Sequence, residues 1–556
     1  MNVERRIDGR LSRRGAIKAM ATAVAGISIS ARETYGAAAS NSARGVAKRS
    51  YHVCLSPEII EAQPELLQVV ASAGVETVWV AGYFYGFRPY PGALIAKART
   101  LVQRAGLKSE AITVPLGHPG DSLGSSDGGF PLTPPKHWRL GQRVDGVQYA
   151  GTSLHAPATE ENCEGLRWLR TLGFRKAFLD DDFRLARGPG EIGGCFCSWH
   201  QQEFLRASGE TAARWEELLA DVKARRFTPL LRRWIDWTCD QFKASFLAQQ
   251  QAFQGELGFM AMYLGSEKAG MRLSDYPKSP LRVGELMFDD GSFGRVKGKT
   301  DELFSVLGHR RFIRPELAYS ETTAYPANRL SGAHLAAKLT VSTIADVRHT
   351  MFMSGLTPFP KEHWAVIGPA MREQTRMHEA VAGHNLSGPF HLIWGEAQRY
   401  VGTDKPFSLW LALGVPFSVP KEPSAGWNFL SEYDAVGMAE QKAESNPKTR
   451  FVVVAGEATS TSAAPKGAER VAEDLAALFA WRRSIREQLK DVPVVEEETP
   501  VIAAWYPTAG RLLLWNLETS AKRLTVSYGG EKRGVDVGSL GSVMLEGFGP
   551  VKRSAR

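Results

Sequence analysis

The stretch Phe178-Leu179-Asp180-Asp181-Asp182-Phe183-Arg184 joins an apolar run to three consecutive carboxylates. A short apolar run of this kind is typical of a parallel strand that is buried on both faces. In a (β/α)8 barrel, the functional groups stand at the carboxyl ends of such strands. The stretch therefore predicts a barrel strand that delivers acidic groups to the functional face.

A second motif, Cys195-Phe196-Cys197-Ser198-Trp199-His200, follows the acids closely. Two thiols and an imidazole at this spacing are typical of a zinc clip, so Cys195, Cys197 and His200 are predicted to ligate structural Zn²⁺. His118 is a candidate for the fourth ligand. The alternative is two buried thiols beside an exposed histidine, because three of four ligands is an incomplete motif.

Composition indicates a folded protein of several domains. The chain has 556 residues, of which 44% are hydrophobic and 23% charged, and no stretch after the amino-terminal segment is apolar enough to cross a bilayer. Five cysteines make a poor disulfide framework. Seven Lys/Arg and three Asp/Glu in residues 1–39 supply four of the nine net positive charges. The remaining charge is spread without a basic block, so no nucleic-acid partner is expected.

The amino terminus is predicted to be a targeting segment. Basic residues precede a weakly apolar run and a small-residue cleavage site at 36–39. The stretch Ser12-Arg13-Arg14-Gly15-Ala16-Ile17-Lys18 resembles a bacterial twin-arginine export signal. Residues 1–39 are therefore interpreted as a signal peptide, and the mature protein is expected to be periplasmic or secreted.

Residues 50–386 alternate short β-rich runs with helical patterns, which favours a (β/α)8 barrel. A doubly wound open sheet is the alternative fold. The predicted strands are residues 52–55, 77–80, 109–114, 176–179, 258–263, 282–288, 316–319 and 347–353.

Two further domains are predicted after the barrel. Residues 387–492 are expected to form a smaller flavodoxin-like α/β domain, with strands at 390–394, 407–413 and 451–455 and a helix at 468–487. Residues 493–556 contain short strands and Gly turns and are expected to form a β-sandwich. Its predicted strands are 501–505, 511–516, 523–528 and 542–545.

This organisation resembles glycoside hydrolase family 42, whose fourth barrel strand ends in Asp-Asn-Glu and is followed by a Cys-x-Cys-x-x-Cys zinc clip. The matching residues here are Asp180-Asp181-Asp182, then Cys195, Cys197 and His200. The family nucleophile ends strand 7, which corresponds to Glu321. The resemblance implies cleavage of O-glycosidic bonds, with Asp182 as general acid/base. It also implies that the middle domain mediates homo-oligomerisation, for example as a trimer.

Retaining glycoside hydrolysis needs two carboxyl groups about 5–5.5 Å apart, whereas inverting enzymes separate them by about 6.5–9.5 Å. Clustered acids raise at least one pKa, which provides a general acid at neutral pH. Asp182 and Glu321 are the predicted pair, with Asp181 as the third catalytic candidate. Asp290, in the pair Asp289-Asp290, is the rival carboxylate, although an Asp before Gly291 is typical of a turn.

Aromatic residues are candidates for sugar binding because sugar rings stack on aromatic faces. Five aromatics lie within residues 83–90, and Tyr83, Tyr85 and Trp364 are predicted to contact substrate. A domain-packing patch explains the run equally well. Asp180 and Asp290 are the polar substrate contacts in this prediction.

Two other functions fit the same residues. A non-catalytic glycan-binding protein could keep the barrel and lose the acid/base, because Asp182 is one methylene shorter than the family's Glu. A metal-dependent hydrolase could use Asp180–Asp182 to hold Mg²⁺ or Ca²⁺. The main expectation is an exported glycosidase with a carbohydrate substrate, structural Zn²⁺, no organic cofactor and no membrane span.

Overall fold

The computed structural model describes residues 48–114, 135–149, 153–180, 183–440, 448–455 and 463–550. The predicted signal peptide, His118, Asp181 and Asp182 lie outside these ranges. No helix in the described ranges is both long and apolar enough to cross a membrane.

Eight parallel strands form a closed barrel in chain order, which confirms the predicted barrel. The open-sheet alternative is wrong, because the first and last strands pair with each other. The strands are β1 Ser50–Leu55, β2 Thr77–Phe84, β3 Lys108–Val114, β4 Lys176–Leu179, β5 Glu256–Ala261, β6 Leu281–Val283, β7 Ala318–Thr323 and β8 His349–Met353.

Aromatic side chains fill the barrel interior. Trp79 on β2 contacts Phe178 on β4 and Tyr319 on β7, with ring centroids 4.7 and 6.1 Å apart. Side chains on strands that are not neighbours meet only inside a closed barrel, so this layer defines the interior. Because both faces of the strands are covered, β2 and β7 are buried along their full length.

Two strand boundaries differ from the prediction near the barrel mouth. Strand β6 ends at Val283 instead of residue 288, because the backbone beyond it bonds to side chains: Met287 N–H donates to Glu302 Oε2 at 3.1 Å. Strand β7 begins later than predicted and runs to Thr323. Glu321 therefore lies within the strand, two residues before its last residue, Thr323, and in register with Met351.

Helices surround the barrel and separate most of its strands. Residues 57–73 form two helices, and Pro64 directly precedes the second of them. Around the barrel lie α1 Pro57–Ala62, α2 Glu65–Ala73, α3 Gly92–Arg104, α4 Ala158–Thr171, α5 Ser198–Ser208, α6 Ala212–Ala224, α7 Pro229–Phe253, α8 Asp290–Phe293, α9 Val296–Arg310, α10 Gly332–Ile344 and α11 His363–Val381.

A five-stranded parallel sheet follows the barrel, in the order β10-β9-β11-β12-β13, which matches the 2-1-3-4-5 order of flavodoxin-like sheets. The predicted strand at 407–413 is wrong. That apolar run holds a 3₁₀ turn at Leu409–Ala412, and Trp410 stacks on Phe429 at 4.1 Å. The elements are β9 Phe390–Leu392, β10 Phe417–Ser418, β11 Gly426–Leu430, β12 Thr449–Ala455 and β13 Glu469–Ala472, with helices α12 Glu396–Val401, α13 Glu432–Glu440 and α14 Leu475–Ser484.

Two three-stranded antiparallel sheets end the chain and share one hydrophobic core. Alternate residues such as Leu512 and Leu514 on one sheet and Leu524 and Val526 on the other enter this core. The strands are β14 Val494–Val495, β15 Val501–Tyr506, β16 Arg511–Asn516, β17 Lys522–Tyr528, β18 Glu531–Val537 and β19 Ser542–Glu546.

Candidate active site and metal centre

A buried arginine joins two carboxylates at the carboxyl end of the barrel. Arg282 on β6 binds Asp180, which directly follows β4, and Glu321 on β7, with 3.2 Å from its Nη2 to Glu321 Oε1. The three residues are at most 5% exposed. Because β4 and β6 are not neighbours, the contact crosses the barrel interior, at the end where barrel enzymes place their chemistry.

Glu321 is held at both carboxylate oxygens. Its Oε2 accepts the backbone N–H of Glu285 at 3.2 Å, while Oε1 faces Arg282. A nearby cation and an amide donor both favour the ionised carboxylate. A fixed, charged Glu321 is the state that a carboxylate nucleophile requires.

Cys54 on β1 shares this electrostatic environment. Burial raises the pKa of its thiol, Arg282 lowers it, and the carboxylates of Asp180 and Glu321 raise it further. The outcome is a neutral thiol at physiological pH. Cys54 is therefore a packing residue of the barrel interior, since the thiolate is the reactive form.

Asp180 is the one member of the acidic triplet in the described ranges. Its backbone N–H donates to Thr113 O at 2.7 Å, continuing the pairing of β4 with β3. Its carboxylate faces Arg282, and a nearby cation favours the ionised form of an acid. The predicted roles of Asp181 and Asp182 remain predictions.

Asp289 caps helix α8, and Asp290 bonds to Ser331, which caps helix α10. Asp289 Oδ1 accepts the N–H of Ser292 at 2.9 Å and begins the short helix α8. Asp290 Oδ1 accepts from His334 Nδ1 at 2.6 Å and from Ser331 N–H at 2.8 Å. Burial would raise the pKa of Asp290, but these hydrogen bonds outweigh burial and lower it. An acid held in ionised form fits a cap better than a proton donor.

The predicted aromatic contacts are buried. Tyr83 is 4% exposed and its hydroxyl accepts Gly86 N–H at 2.7 Å. Tyr85 is 1% exposed and packs edge-on against Phe87. Trp364 packs between Phe352 and Phe359. These rings offer no open face to a sugar, so they shape the β2 loop and the core beneath α11.

Exposed aromatic rings occur elsewhere. Tyr325 lies two residues after β7 and is 42% exposed, and Trp199, in the clip motif, is 47% exposed. The N–H of Tyr325 donates to Phe288 O at 3.0 Å, which ties the β7 loop to the β6 loop. These rings combine exposure with a fixed backbone, as stacking on a sugar requires.

Four buried ligand groups converge in the insertions that follow β3 and β4. His155, Cys195, Cys197 and His200 present ligand atoms that all lie within 4.8 Å of one another. His155 Nε2 lies 3.6 Å from Cys195 Sγ and 3.7 Å from Cys197 Sγ, and Cys197 Sγ lies 3.3 Å from His200 Nδ1. Tetrahedral zinc, with bonds of about 2.0–2.3 Å, requires ligand separations of roughly 3.3–3.8 Å.

The donor chemistry also fits zinc. Burial lowers the pKa of His155 to about 4 and that of His200 to about 3, so both rings are neutral, the form that binds metal. Burial raises the pKa of Cys195 to about 12, so coordination would release a proton. Within the described ranges, the fourth ligand group is His155. It lies in the loop before α4, 40 residues before Cys195.

Arg282, Glu285 and His155 are the residues that sequence reasoning missed as site members. A charged residue inside a short apolar strand is a usable signal for Arg282, because a buried cation needs an anionic partner. His155 gave no comparable signal, since a lone loop histidine is common. Glu285 acts through its backbone N–H, which no side-chain pattern reveals.

No protein-family model and no curated protein sequence matches the chain. Among solved structures, α-L-fucosidase isoenzyme 2 from Paenibacillus thiaminolyticus is similar, with 10% identity over 88% of this chain and 91% of that chain and a TM-score of 0.47. A GH27 β-L-arabinopyranosidase from Geobacillus stearothermophilus has 6% identity over 92% of this chain and 98% of that chain and a TM-score of 0.39. At these values the likeness does not extend to activity or to site residues.

Proposed function

We propose that the protein is an exported glycoside hydrolase that cleaves O-glycosidic bonds in an oligo- or polysaccharide by a retaining mechanism. The observation that carries the proposal is the placement of Asp180 and Glu321 on Arg282, at the carboxyl end of a closed barrel. Export is inferred from the signal-like residues 1–39.

In the proposed reaction, a carboxylate oxygen of Glu321 attacks the anomeric carbon while the bond to the leaving oxygen breaks. Asp182, assigned from the sequence, gives its proton to that oxygen. It then takes a proton from water, which attacks the glycosyl ester and releases the sugar and the Glu321 carboxylate. Arg282 and the Glu285 N–H keep Glu321 ionised between turnovers.

A metal-dependent hydrolase is less well supported. Asp180 faces the Arg282 guanidinium, whereas a Mg²⁺ or Ca²⁺ ligand faces the metal. Tyr325 and Trp199 replace the buried Tyr83, Tyr85 and Trp364 as proposed stacking residues, because their rings are exposed.

Aryl glycosides of several sugars and both anomers test the activity. We expect Glu321→Gln to lower kcat by a thousandfold or more, on the order of what removing a nucleophile costs. External azide should restore Glu321→Ala and give a glycosyl azide of inverted configuration. Asp182→Asn should lose activity most strongly on substrates with poor leaving groups.

Two results would reject this function. Turnover of no glycoside, with glycan binding retained, would favour a binding protein. Turnover that survives Glu321→Gln would remove Glu321 as nucleophile.

We also propose that His155, Cys195, Cys197 and His200 hold a structural zinc ion. Four protein ligands leave no open position for a reacting water. The ion would join the loop before α4 to the loop before α5, beside the barrel mouth.

Metal analysis of the purified protein should find one zinc per chain. His155→Ala should lose that zinc and lower the melting temperature. The matched control is His137→Ala in the same insertion, where the histidine is exposed and paired with Glu161. Equal zinc content in the two variants would contradict the assignment.

A further inference from the structure

A second buried charge cluster lies outside the barrel wall, between the end of β6 and helices α9 and α10. Lys338 on α10 places its Nζ 2.9 Å from Glu285 Oε2 and in contact with Glu302 Oε1 on α9. The three side chains are at most 1% exposed. We call Lys338, Glu285 and Glu302 the outer triad.

The outer triad contains one ammonium group and two carboxyl groups. With both carboxyls ionised, one negative charge would be uncompensated among side chains that are at most 1% exposed, which is unfavourable. Glu302 lies within hydrogen-bonding reach of Glu285, and no donor in the described ranges reaches Glu285 Oε1. A proton on Glu302 would supply that donor and balance the charge.

The directions of the pKa shifts agree with this charge balance. Burial raises the pKa of Glu302 well above its usual value, Lys338 opposes this rise, and Glu285 adds to it. Burial lowers the pKa of Lys338, but the two carboxyl groups outweigh burial and raise it. These directions agree with a charged Lys338 and a neutral Glu302.

The outer triad also fixes the backbone that contacts Glu321. Glu285 N–H donates to Glu321 Oε2, and Met287 N–H is held by Glu302 Oε2 at 3.1 Å. Gly284, between β6 and Glu285, lies against β5. A Cβ added to Gly284 would stand 2.2 Å from the carbonyl oxygen of Ala261. Ser305 Oγ donates to Gly284 O at 2.9 Å. The segment after β6 is thus held by side chains of α9 and α10 instead of by strand pairing.

We propose that the outer triad is a positioning device with one proton on Glu302, and that it aims the Glu285 N–H at Glu321 to keep that carboxylate ionised and oriented. The proposal rests on the proposed function, since it assigns the triad to the nucleophile of that reaction. Lys338, Glu302 and the Glu285 side chain do not touch the substrate, so they act through the β6 segment.

The experiment measures the titration of Glu321 without turnover. In protein labelled with carboxyl-¹³C glutamate, the Glu321 resonance is assigned by its loss in Glu321→Gln. Lys338→Met should raise the titration midpoint by about one pH unit, because the carboxylate loses an aligned donor. Glu302→Gln should raise it less than Lys338→Met does, since the amide keeps the shape and a donor of the protonated acid but has one acceptor oxygen for Lys338 and the Met287 N–H.

Turnover provides the second readout. The acidic limb of the kcat/KM profile should shift by the same amount as the midpoint in Lys338→Met, with kcat/KM at its optimum reduced about tenfold. It should shift less in Glu302→Gln. The wild-type infrared spectrum should show a buried carboxylic-acid C=O band that Glu302→Gln removes. If Lys338→Met does not fold, Lys338→Met/Glu285→Gln restores the charge balance and should still raise the midpoint.

Three outcomes would overturn the proposal. Lys338→Met could lower stability but leave the Glu321 midpoint in place. That outcome would show that Lys338 has a structural role only. The Glu321 midpoint could shift as far in Glu302→Gln as in Lys338→Met, or the carboxylic-acid C=O band could persist in Glu302→Gln. Absence of glycoside turnover would reject the proposed function alone, because the resonance and infrared results do not depend on turnover.

Discussion

The two ends of the barrel interior solve the problem of buried polar groups in opposite ways. At the carboxyl end, Arg282 joins the carboxylates of Asp180 and Glu321. At the amino end, His52, Ser50 and His349 form a chain of neutral hydrogen bonds. Both sets lie in the same barrel, so we attribute the difference to the different roles of its two ends.

The neutral chain has a single direction. Trp79 Nε1–H donates to His52 Nδ1 at 3.1 Å, which leaves the proton of His52 on Nε2. His52 then donates to Ser50 Oγ at 2.8 Å, and Ser50 donates to His349 Nδ1 at 2.7 Å. His349 Nε2–H ends the chain at the carbonyl of Glu316, at 3.0 Å. Every donor in this chain meets an acceptor, so the groups stabilise the barrel and are not available for chemistry.

The set at the carboxyl end, in contrast, consists of charged groups. One guanidinium contacts two carboxylates, and the Glu285 N–H donates to one of them. Buried ion pairs of this kind rarely add net stability. The pair between Arg282 and Glu321 therefore fits the proposed catalytic role of Glu321 better than a purely stabilising one.

The largest expected effect comes from removing the shared cation. Arg282→Met removes the guanidinium that contacts two buried carboxylates and should lower the free energy of unfolding by about 3–5 kcal/mol. Urea unfolding measures this decrease in the free energy of unfolding. The matched amino-end change, Ser50→Ala, should cost about 1 kcal/mol and leave kcat unchanged.

A neutral variant sharpens this comparison. Arg282→Met/Asp180→Asn/Glu321→Gln removes all three charges and should recover most of the lost stability while remaining inactive. If it stays as unstable as Arg282→Met, packing and not charge explains the cost.

The next effect is the pH dependence of the amino end. Burial lowers the pKa of His349 to about 4, with Lys176 nearby lowering it further and the Glu316 carbonyl opposing the shift. In the unfolded chain the ring titrates near 6.5. The unfolded chain therefore binds the extra proton, and the free energy of unfolding should fall between pH 6.5 and about 4, by up to about 3 kcal/mol from this residue.

Urea unfolding across this pH range checks the prediction. His349→Phe keeps an aromatic ring beside Tyr319 but removes the titrating group, so its stability should fall less steeply with decreasing pH. Burial also lowers the pKa of His52, and its contribution remains in both proteins. Identical slopes would show that His349 is not held neutral.

The smallest expected effect is at Asp290, outside the barrel interior. Its side chain is 47% exposed and pairs with His334. Solvent screens such a pair, so Asp290→Asn should cost about 0.5–1 kcal/mol and change kcat less than twofold. A hundredfold fall in kcat would restore Asp290 as a catalytic acid and favour an inverting mechanism.

Local patterns predicted the barrel well. Strand β4 begins and ends at the predicted residues, because an apolar run between charged residues is unambiguous. The pattern failed where apolar runs lack periodicity: residues 407–413 form a turn that packs Trp410 on Phe429, since a buried turn and a buried strand have the same composition. The predicted helix at 468–487 contains strand β13 and only then a helix, whose start is capped by Asp474.

The sequence by itself determined the eight strand-forming runs, the acidic end of β4 and the close spacing of Cys195, Cys197 and His200, because these depend on neighbours within a few residues. Only the tertiary structure decided which charges meet. Arg282 reaches Asp180 across 102 residues of sequence, and His155 joins the thiols across 40. Such contacts follow from barrel closure and strand register, which bring distant side chains to one depth inside the barrel or to one loop cluster.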